Sequence, residues 1–211
     1  PAITAEQYKA VGPYLSLAER LCAFASHVAD GNPKEIRVVY IGRIGEGSTP
    51  VIRNSAVAGV LNRSLSRPAN VVNSMPIAKE RGINVGERQE NRNGPMDSIR
   101  VELVTDKGTT TVEGAVVLDK PRLIAVDGIY CEAPLTGHVT YMLNEDVPGV
   151  IGYIGSVFGK NKVNIGNFSL GRKDKPAAPG QPAQAISVIE TDTQVPESVL
   201  QQILENKSMK V

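Results

Sequence analysis

The chain has 211 residues, 41% of them hydrophobic and 4% aromatic, with no tryptophan and a formal net charge of +1. That length holds one large domain or two small ones, with aliphatic cores built from Val, Ile, Leu and Ala. The near-neutral balance gives no basis for nucleic acid or an anionic membrane surface as a partner; no apolar run approaches the roughly 18 residues that would span a bilayer, and the start carries no signal-peptide pattern. Cys22 and Cys131 lie far apart without metal-ligand spacing. They read as reduced thiols of a cytoplasmic protein, and no metal is expected. The first residue is Pro1 rather than Met, which suggests a processed or excised segment.

From the start, Ala5 to Asp30 reads as helical with an early break at Gly12-Pro13. Leu17, Leu21, Phe24 and Val28 then form an apolar stripe, and Gly31-Asn32-Pro33 stops the helix. Lys34 to Ile41 alternates as a strand. The loop Gly42 to Gly47 follows. Ser48 or Thr49 caps the next helix, with Pro50 in its first turn, and the pattern carries it to Arg67-Pro68. Asn70 to Val72 reads as short and extended. A helix from Asn73 ends at Arg81-Gly82. Ile83 to Gln89 is strand-like, and Glu90 to Pro95 is a polar loop. Two hairpins complete the first module: Ser98–Thr105 with Thr109–Leu118, and Pro121–Val126 with Ile129–Glu132.

Pro134 to Gly137 reads as the boundary to a smaller second module. His138 to Asn144 is its first strand and Pro148 to Lys160 its first helix, with Val150, Ile151, Ile154, Val157 and Phe158 on one face. Val163 to Arg172 is the second strand, followed by a long Pro/Gly/Lys-rich loop, Asp174 to Ala183. Gln184 to Thr191 is the third strand, Pro196 to Asn206 the second helix, and Ser208 to Val211 the beginning of a fourth strand.

No catalytic constellation emerges. No Gly-x-Gly-x-x-Gly follows a strand, so the dinucleotide fingerprint is absent. The two histidines, His27 and His138, read as structural. The Gly42/Gly45/Gly47 loop could cradle a phosphate with Arg43 and Arg53 supplying charge, but its spacing favours a plain strand-to-helix connection. The stretch Asn144 to Val150 holds the strongest site signal. Gly149 and Val150 offer backbone N–H groups at a helix start, suited to a carboxylate. The side chains of Asn144 and Asp146, with Asn164 further along, offer acceptors for an ammonium or hydroxyl. The competing reading has Asp146 only capping the helix and Asn164 only shaping a turn.

Several segments carry a resemblance. Asp146-Val147-Pro148-Gly149 followed by Val163-Asn164-Ile165 resembles the start of an ACT domain. Val71 to Ile83, with its Val72-Asn73 and its Ala78 and Glu80-Arg81-Gly82-Ile83, resembles the intervening domain of long-form D-3-phosphoglycerate dehydrogenases. So do the hairpin around Thr109 to Gly114 and Ile124 to Gly128. The resemblance covers nearly the whole chain. It implies an α/β (α+β) class: a mixed-sheet intervening domain over residues 1–135, then a βαββαβ ferredoxin-like ACT domain over 136–211. It implies a parent NAD-dependent oxidoreductase acting on 3-phosphoglycerate in the first step of L-serine biosynthesis. This segment would hold no cofactor, NAD belonging to the catalytic half that it lacks.

The resemblance further implies L-serine as effector, met by Asn144, Asp146 and Asn164 where two ACT domains pair in a homo-oligomeric parent, a tetramer. Arg122 matches a basic position of a second anion site in some relatives; a solvated hairpin charge is the competing reading. Two other assignments stay open. One is the corresponding module of an iron–sulfur L-serine dehydratase, whose cluster would need more ligands than Cys22 and Cys131. The other is a free-standing amino-acid-binding or assembly protein.

Overall fold

The structure is a computed structural model that describes residues 5–44, 49–91, 96–173, 180 and 182–210. Ser48, Gly45, Gly47 and most of the Asp174–Ala183 loop lie outside the described residues. The chain divides into two compact units, Pro1–Gly128 and Ile129–Val211. The division falls in the Asp127-Gly128 turn, whereas the sequence placed it at 135/136. The two divisions differ by one strand, Ile129–Pro134.

In the first unit the elements run α1 (Ala5–Val28), β1 (Pro33–Ile41), α2 (Thr49–Leu61), α3 (Ser74–Glu80), β2 (Asn84–Glu90), β3 (Ser98–Thr105), β4 (Thr109–Val117) and β5 (Lys120–Val126). The sheet order is β2-β1-β3-β4-β5. Only β2 is parallel to its neighbour, because α2 and α3 make the crossover from β1. The period-two pattern decides the faces. Ile36, Val38 and Tyr40 of β1 lie opposite Leu103, Val101 and Ile99 of β3, and all six are buried. The alternate positions carry Glu35, Arg37, Arg88, Glu90, Arg100 and Glu102. These are laced across strands, with Arg37 at 3.3 Å from Glu102, Arg88 at 2.9 Å from Glu102 and Arg100 at 2.7 Å from Glu90.

Leu17, Ala18, Leu21, Cys22 and Ala25 of α1 are fully buried, and α1 packs on β3, β4 and β5. This burial explains one departure from expectation: α1 continues unbroken through Gly12-Pro13. The lost hydrogen bond at Pro13 is outweighed by the apolar face that the helix lays on the sheet and on α2. Eight residues of α2 are buried, Ile52 and the unbroken run Ser55 to Leu61. The helix is therefore enclosed on all sides. It reaches that depth at Gly59, where an added Cβ would stand 2.2 Å from the backbone oxygen of Glu19.

Two loops also depart from expectation. α2 stops at Leu61 rather than running to Arg67. The Asn62 amide closes the following loop on itself, donating to Ala69 O at 3.1 Å and accepting from Ala69 N at 2.6 Å. Asn70 to Val72 is not extended but turned. The Asn70 side chain accepts from the N–H groups of Val72 and Asn73, and the Asn73 side chain from that of Asn70, an arrangement Asn favours.

The second unit holds β6 (Ile129–Pro134), β7 (His138–Glu145), α4 (Val150–Lys160), β8 (Ile165–Arg172), β9 (Gln184–Thr191), α5 (Glu197–Leu204) and β10 (Met209–Lys210). Its sheet has the order β10-β7-β9-β8, antiparallel throughout. From β7 onward this is the expected βαββαβ ferredoxin-like arrangement, and β10 is the fourth strand expected from Ser208. Ile154, Phe158, Ile189, Val199 and Ile203 centre the core between helices and sheet. β6 covers the opposite face, where Ser169 of β8 donates to Glu132 O at 2.6 Å.

Candidate functional site

The turn from β7 into α4 has the form the sequence suggested. β7 ends at Glu145, and α4 begins at Val150 with Gly149 as its N-cap at φ 95° and ψ −17°. That left-handed conformation suits glycine, and at this position no side chain caps the helix. The helix start therefore presents backbone N–H groups at an exposed glycine. Val150 itself is 4% exposed, its side chain lying in the core.

Asp146 does not cap α4, which corrects one of the two readings open at the sequence level. Its carboxylate instead accepts from Arg172 at the end of β8, with Nε at 2.7 Å and the terminal nitrogen at 2.6 Å on the same Oδ2. Its backbone N–H donates to Ala183 O at 2.8 Å. Asn144 is buried, at 1% exposure. Its amide donates to Glu145 O at 2.9 Å and accepts from Ser187 Oγ at 3.2 Å, so its hydrogen bonds are turned inward.

Asn164 lies elsewhere. It is exposed just before β8, donating through Nδ2 to Asp192 Oδ2 at 2.8 Å and accepting from Asp192 N through its carbonyl. β7 and β8 run in the same direction, since both are antiparallel to β9. Asp146, Gly149 and Arg172 therefore sit at one end of the sheet and Asn164 at the other, a separation of about 25 Å at strand rise. Within one chain the five candidate residues are not brought together. Neither Arg172 nor Asp192 stood out in the sequence: their partners are 26 and 28 residues away, and no local motif joins them.

The candidate anion-binding arginines are also dispersed. Arg53 on α2 lies 3.8 Å from Glu87 and donates twice to Asn54 Oδ1, at 3.2 and 3.0 Å. Beside it the Tyr40 hydroxyl donates to Thr49 O and to Glu87; burial, and then the Glu87 carboxylate, push its pKa up. The Arg43 N–H donates to Asp97 at 3.2 Å. With Glu87 and Asp97 in place, the start of α2 is not a bare cationic cradle. Arg122 lies on β5, opposite Ala115. Among the described residues no His, Cys, Asp and Glu cluster is suited to a metal, and no helix is long and apolar enough to cross a membrane.

Residues 10–127 match the family described as the D-3-phosphoglycerate dehydrogenase intervening domain. The chain belongs to that family. Its first unit is thus an intervening domain, as the Val71 to Ile83 and Thr109 to Gly114 segments suggested. The likeness extends through the second unit. The chain is 30% identical over 210 residues, its full length, to the D-3-phosphoglycerate dehydrogenase of Methanocaldococcus jannaschii, of which it covers 39%. It is 26% identical over 205 residues to that of Bacillus subtilis, covering 96% of this chain and 38% of the relative. To that of Synechocystis it is 30% identical over 207 residues, covering 96% and 36%. The chain thus spans somewhat over a third of the length of these curated relatives. The matched relatives bear the name of an oxidoreductase.

Proposed function

We propose that this chain is the regulatory, oligomerising segment of a cytoplasmic D-3-phosphoglycerate dehydrogenase. The parent enzyme oxidises 3-phosphoglycerate with NAD, held by catalytic domains outside this segment, as the first step of L-serine biosynthesis. The second unit is its ACT domain, and it binds L-serine or a similar amino acid between two copies. Likeness to dehydrogenases along the whole chain supports the first part. A reducing compartment accords with two buried free thiols, Cys22 and Cys131.

The observation that carries the second part is the split of the candidate residues between opposite ends of β8. β8 is the edge strand of its sheet. Two copies paired antiparallel along this edge, about a two-fold axis at Phe168, set Asn164 of one copy beside the Arg172 end of the other. Both copies then contribute to each site: the helix start at Gly149 and the Asp146–Arg172 pair from one, Asn164 from the other. A free amino acid has groups for all of these. Its carboxylate suits Arg172 and the N–H groups of α4, and its ammonium suits Asp146 and the side-chain Oδ1 of Asn164. A ligand that needs both copies favours the paired arrangement, which is the differential affinity that regulation requires.

Calorimetric titration of the 211-residue chain with L-serine, alongside sedimentation, tests this. The expected result is saturable heat with a stoichiometry tied to the dimer and a dimer tightened by serine. A dimer that gives no heat at millimolar serine would remove the effector from the proposal, and a monomer at all concentrations would remove the shared site.

A further inference from the structure

A cavity of about 410 Å³ opens in the first unit where α1, α2 and α3 all end, above the start of β1 and the end of β3. Its walls include Val60, Ile83 and Leu103, and two guanidinium groups, Arg63 and Arg81, line it together with Ser64. None of the arginines considered above, Arg43, Arg53 or Arg122, lines this cavity.

The charge of Arg63 is partly accounted for. Its Nη1 donates to the carbonyls of Ser26 and, at 3.4 Å, Ala29, the unsatisfied end of α1. A helix C-terminus carries a partial negative charge, which offsets the guanidinium charge only in part. The charge of Arg81 is not balanced in this way. Its guanidinium reaches across to the neutral Ser64 Oγ at 2.8 Å. The last carbonyls of its own helix are met locally, Lys79 O by Gly82 N and Ala78 O by Ile83 N. The end of α2 is closed likewise, Ala58 O by Asn62 N and Leu61 O by Ser64 N. Among the described residues no carboxylate lies within ion-pair distance of either Arg63 or Arg81; the nearby Asp30 is held by Lys107 at 3.0 Å.

From this surplus we infer that the cavity is a binding site for a small oxyanion-bearing metabolite, a phosphate or carboxylate on a short carbon skeleton. The unused N–H groups of Arg81 and Arg63 grip the oxyanion in the planar fork that guanidinium offers. Val60, Ile83 and Leu103 receive the carbon end. The volume lies in the range of small-molecule sites, and the lining sets Asn32, Ser64 and Thr105 beside the two arginines, a polar wall suited to an oxyanion. Because the site joins the ends of three helices, its occupant would also tie α3 and the α2–α3 loop to α1.

The test follows the arginine side-chain N–H signals of the full chain by NMR. Inorganic phosphate is titrated in one arm, succinate in another, and sodium chloride of equal ionic strength in a third. Saturable shifts of the Arg63 and Arg81 signals with phosphate or succinate, and not with chloride, are expected; the arm that responds identifies the oxyanion. Arg81→Gln, an exposed position, is expected to weaken the response at least about tenfold. Lys120→Gln, at an exposed position outside the cavity, is expected to leave it unchanged. No saturable shift in either anion arm, an equal shift with chloride, or full binding in R81Q would overturn the site. The wild-type titration decides independently of the variants.

Discussion

The two units use charge in opposite ways. In the first, Arg37 meets Glu35 of its own strand at 2.6 Å and Glu102 of β3 at 3.3 Å, while Arg88 and Arg100 reach over β1 to Glu102 and Glu90 at 2.9 and 2.7 Å. Each charge is answered where it stands, and the ladder serves to hold the sheet. In the second, helices cover one face and β6 the other, and the ion pair and the polar contacts around Asp146 and Asn164 gather at the strand ends. Groups at strand ends are within reach of a ligand or a second copy; groups inside a ladder are not. The comparison also isolates the cavity arginines of the first unit, which belong to no ladder.

Each unit contains one buried thiol, which allows them to be followed separately. Cys22 is 0% and Cys131 1% exposed. Burial pushes the Cys22 thiol up and that of Cys131 to about 12, so neither is reactive until its surroundings open. The largest expected effect is in the second unit. Phe158, 0% exposed at the core, becomes a cavity in Phe158→Ala at about 3–5 kcal/mol. The denaturant midpoint for Cys131 labelling, read by peptide mass, is expected to fall accordingly. Next comes Gly59→Ala in the first unit. Alanine gains about 1 kcal/mol of helix propensity, but its Cβ would stand 2.2 Å from Glu19 O, and forced separation of two packed helices costs about 1–3 kcal/mol. Cys22 is expected to label at lower denaturant. The net is a loss of up to about 2 kcal/mol, and a midpoint that rises by the full propensity gain would contradict the close crossing.

These two positions show what was legible in the sequence. The apolar stripe from Leu17 to Val28 and the alternation in β1 are local patterns, and they located their elements. The face of α4, from Val150 to Phe158, was legible for the same reason. Gly59 was not, since its reason is the backbone of Glu19, forty residues earlier in the chain. Pro13 misled because a local breaker was outweighed by tertiary packing. Asn62 and Asn70 ended elements through side-chain bonds to the backbone, which composition alone does not signal. At the candidate site the turn itself was readable, and its chemistry only in part: Arg172 and Asp192 reach their partners through the sheet register, which no short motif encodes.

Acid provides a smaller and graded contrast. Hydrogen bonds from Lys107 lower the Asp30 pKa, those from Arg37 lower Glu35, those from Arg100 lower Glu90, and those from Asn32 lower Asp106. All four lie in the first unit. A carboxylate whose folded pKa is depressed contributes stability that is fully present above its unfolded value, near 4. That contribution is lost as pH falls through the folded value. The Cys22 labelling midpoint is therefore expected to be level above about pH 5 and to decline below about pH 4. Because the four groups are open to solvent, the decline should be shallow and should weaken further in high salt. A midpoint that rises on acidification would contradict the ladder.

The smallest expected effect on stability is also the most informative about function. Asp146→Asn removes the charge that Arg172 holds, in a pair whose side chains are 20% and 67% exposed. Solvent screening limits such a pair to about 0.2–1 kcal/mol, so the Cys131 labelling midpoint is expected to move little. The heat of serine binding is expected to disappear, because Asn offers an ammonium a neutral amide in place of a carboxylate and leaves Arg172 without its orienting partner. The two readouts separate the alternatives. A fall in stability well beyond 1 kcal/mol would make the pair a latch between the β7–α4 turn and the end of β8, with any loss of binding secondary to unfolding. Unchanged serine heat in a stable variant would remove Asp146 from the binding site and leave the N–H groups at Gly149 to act without it.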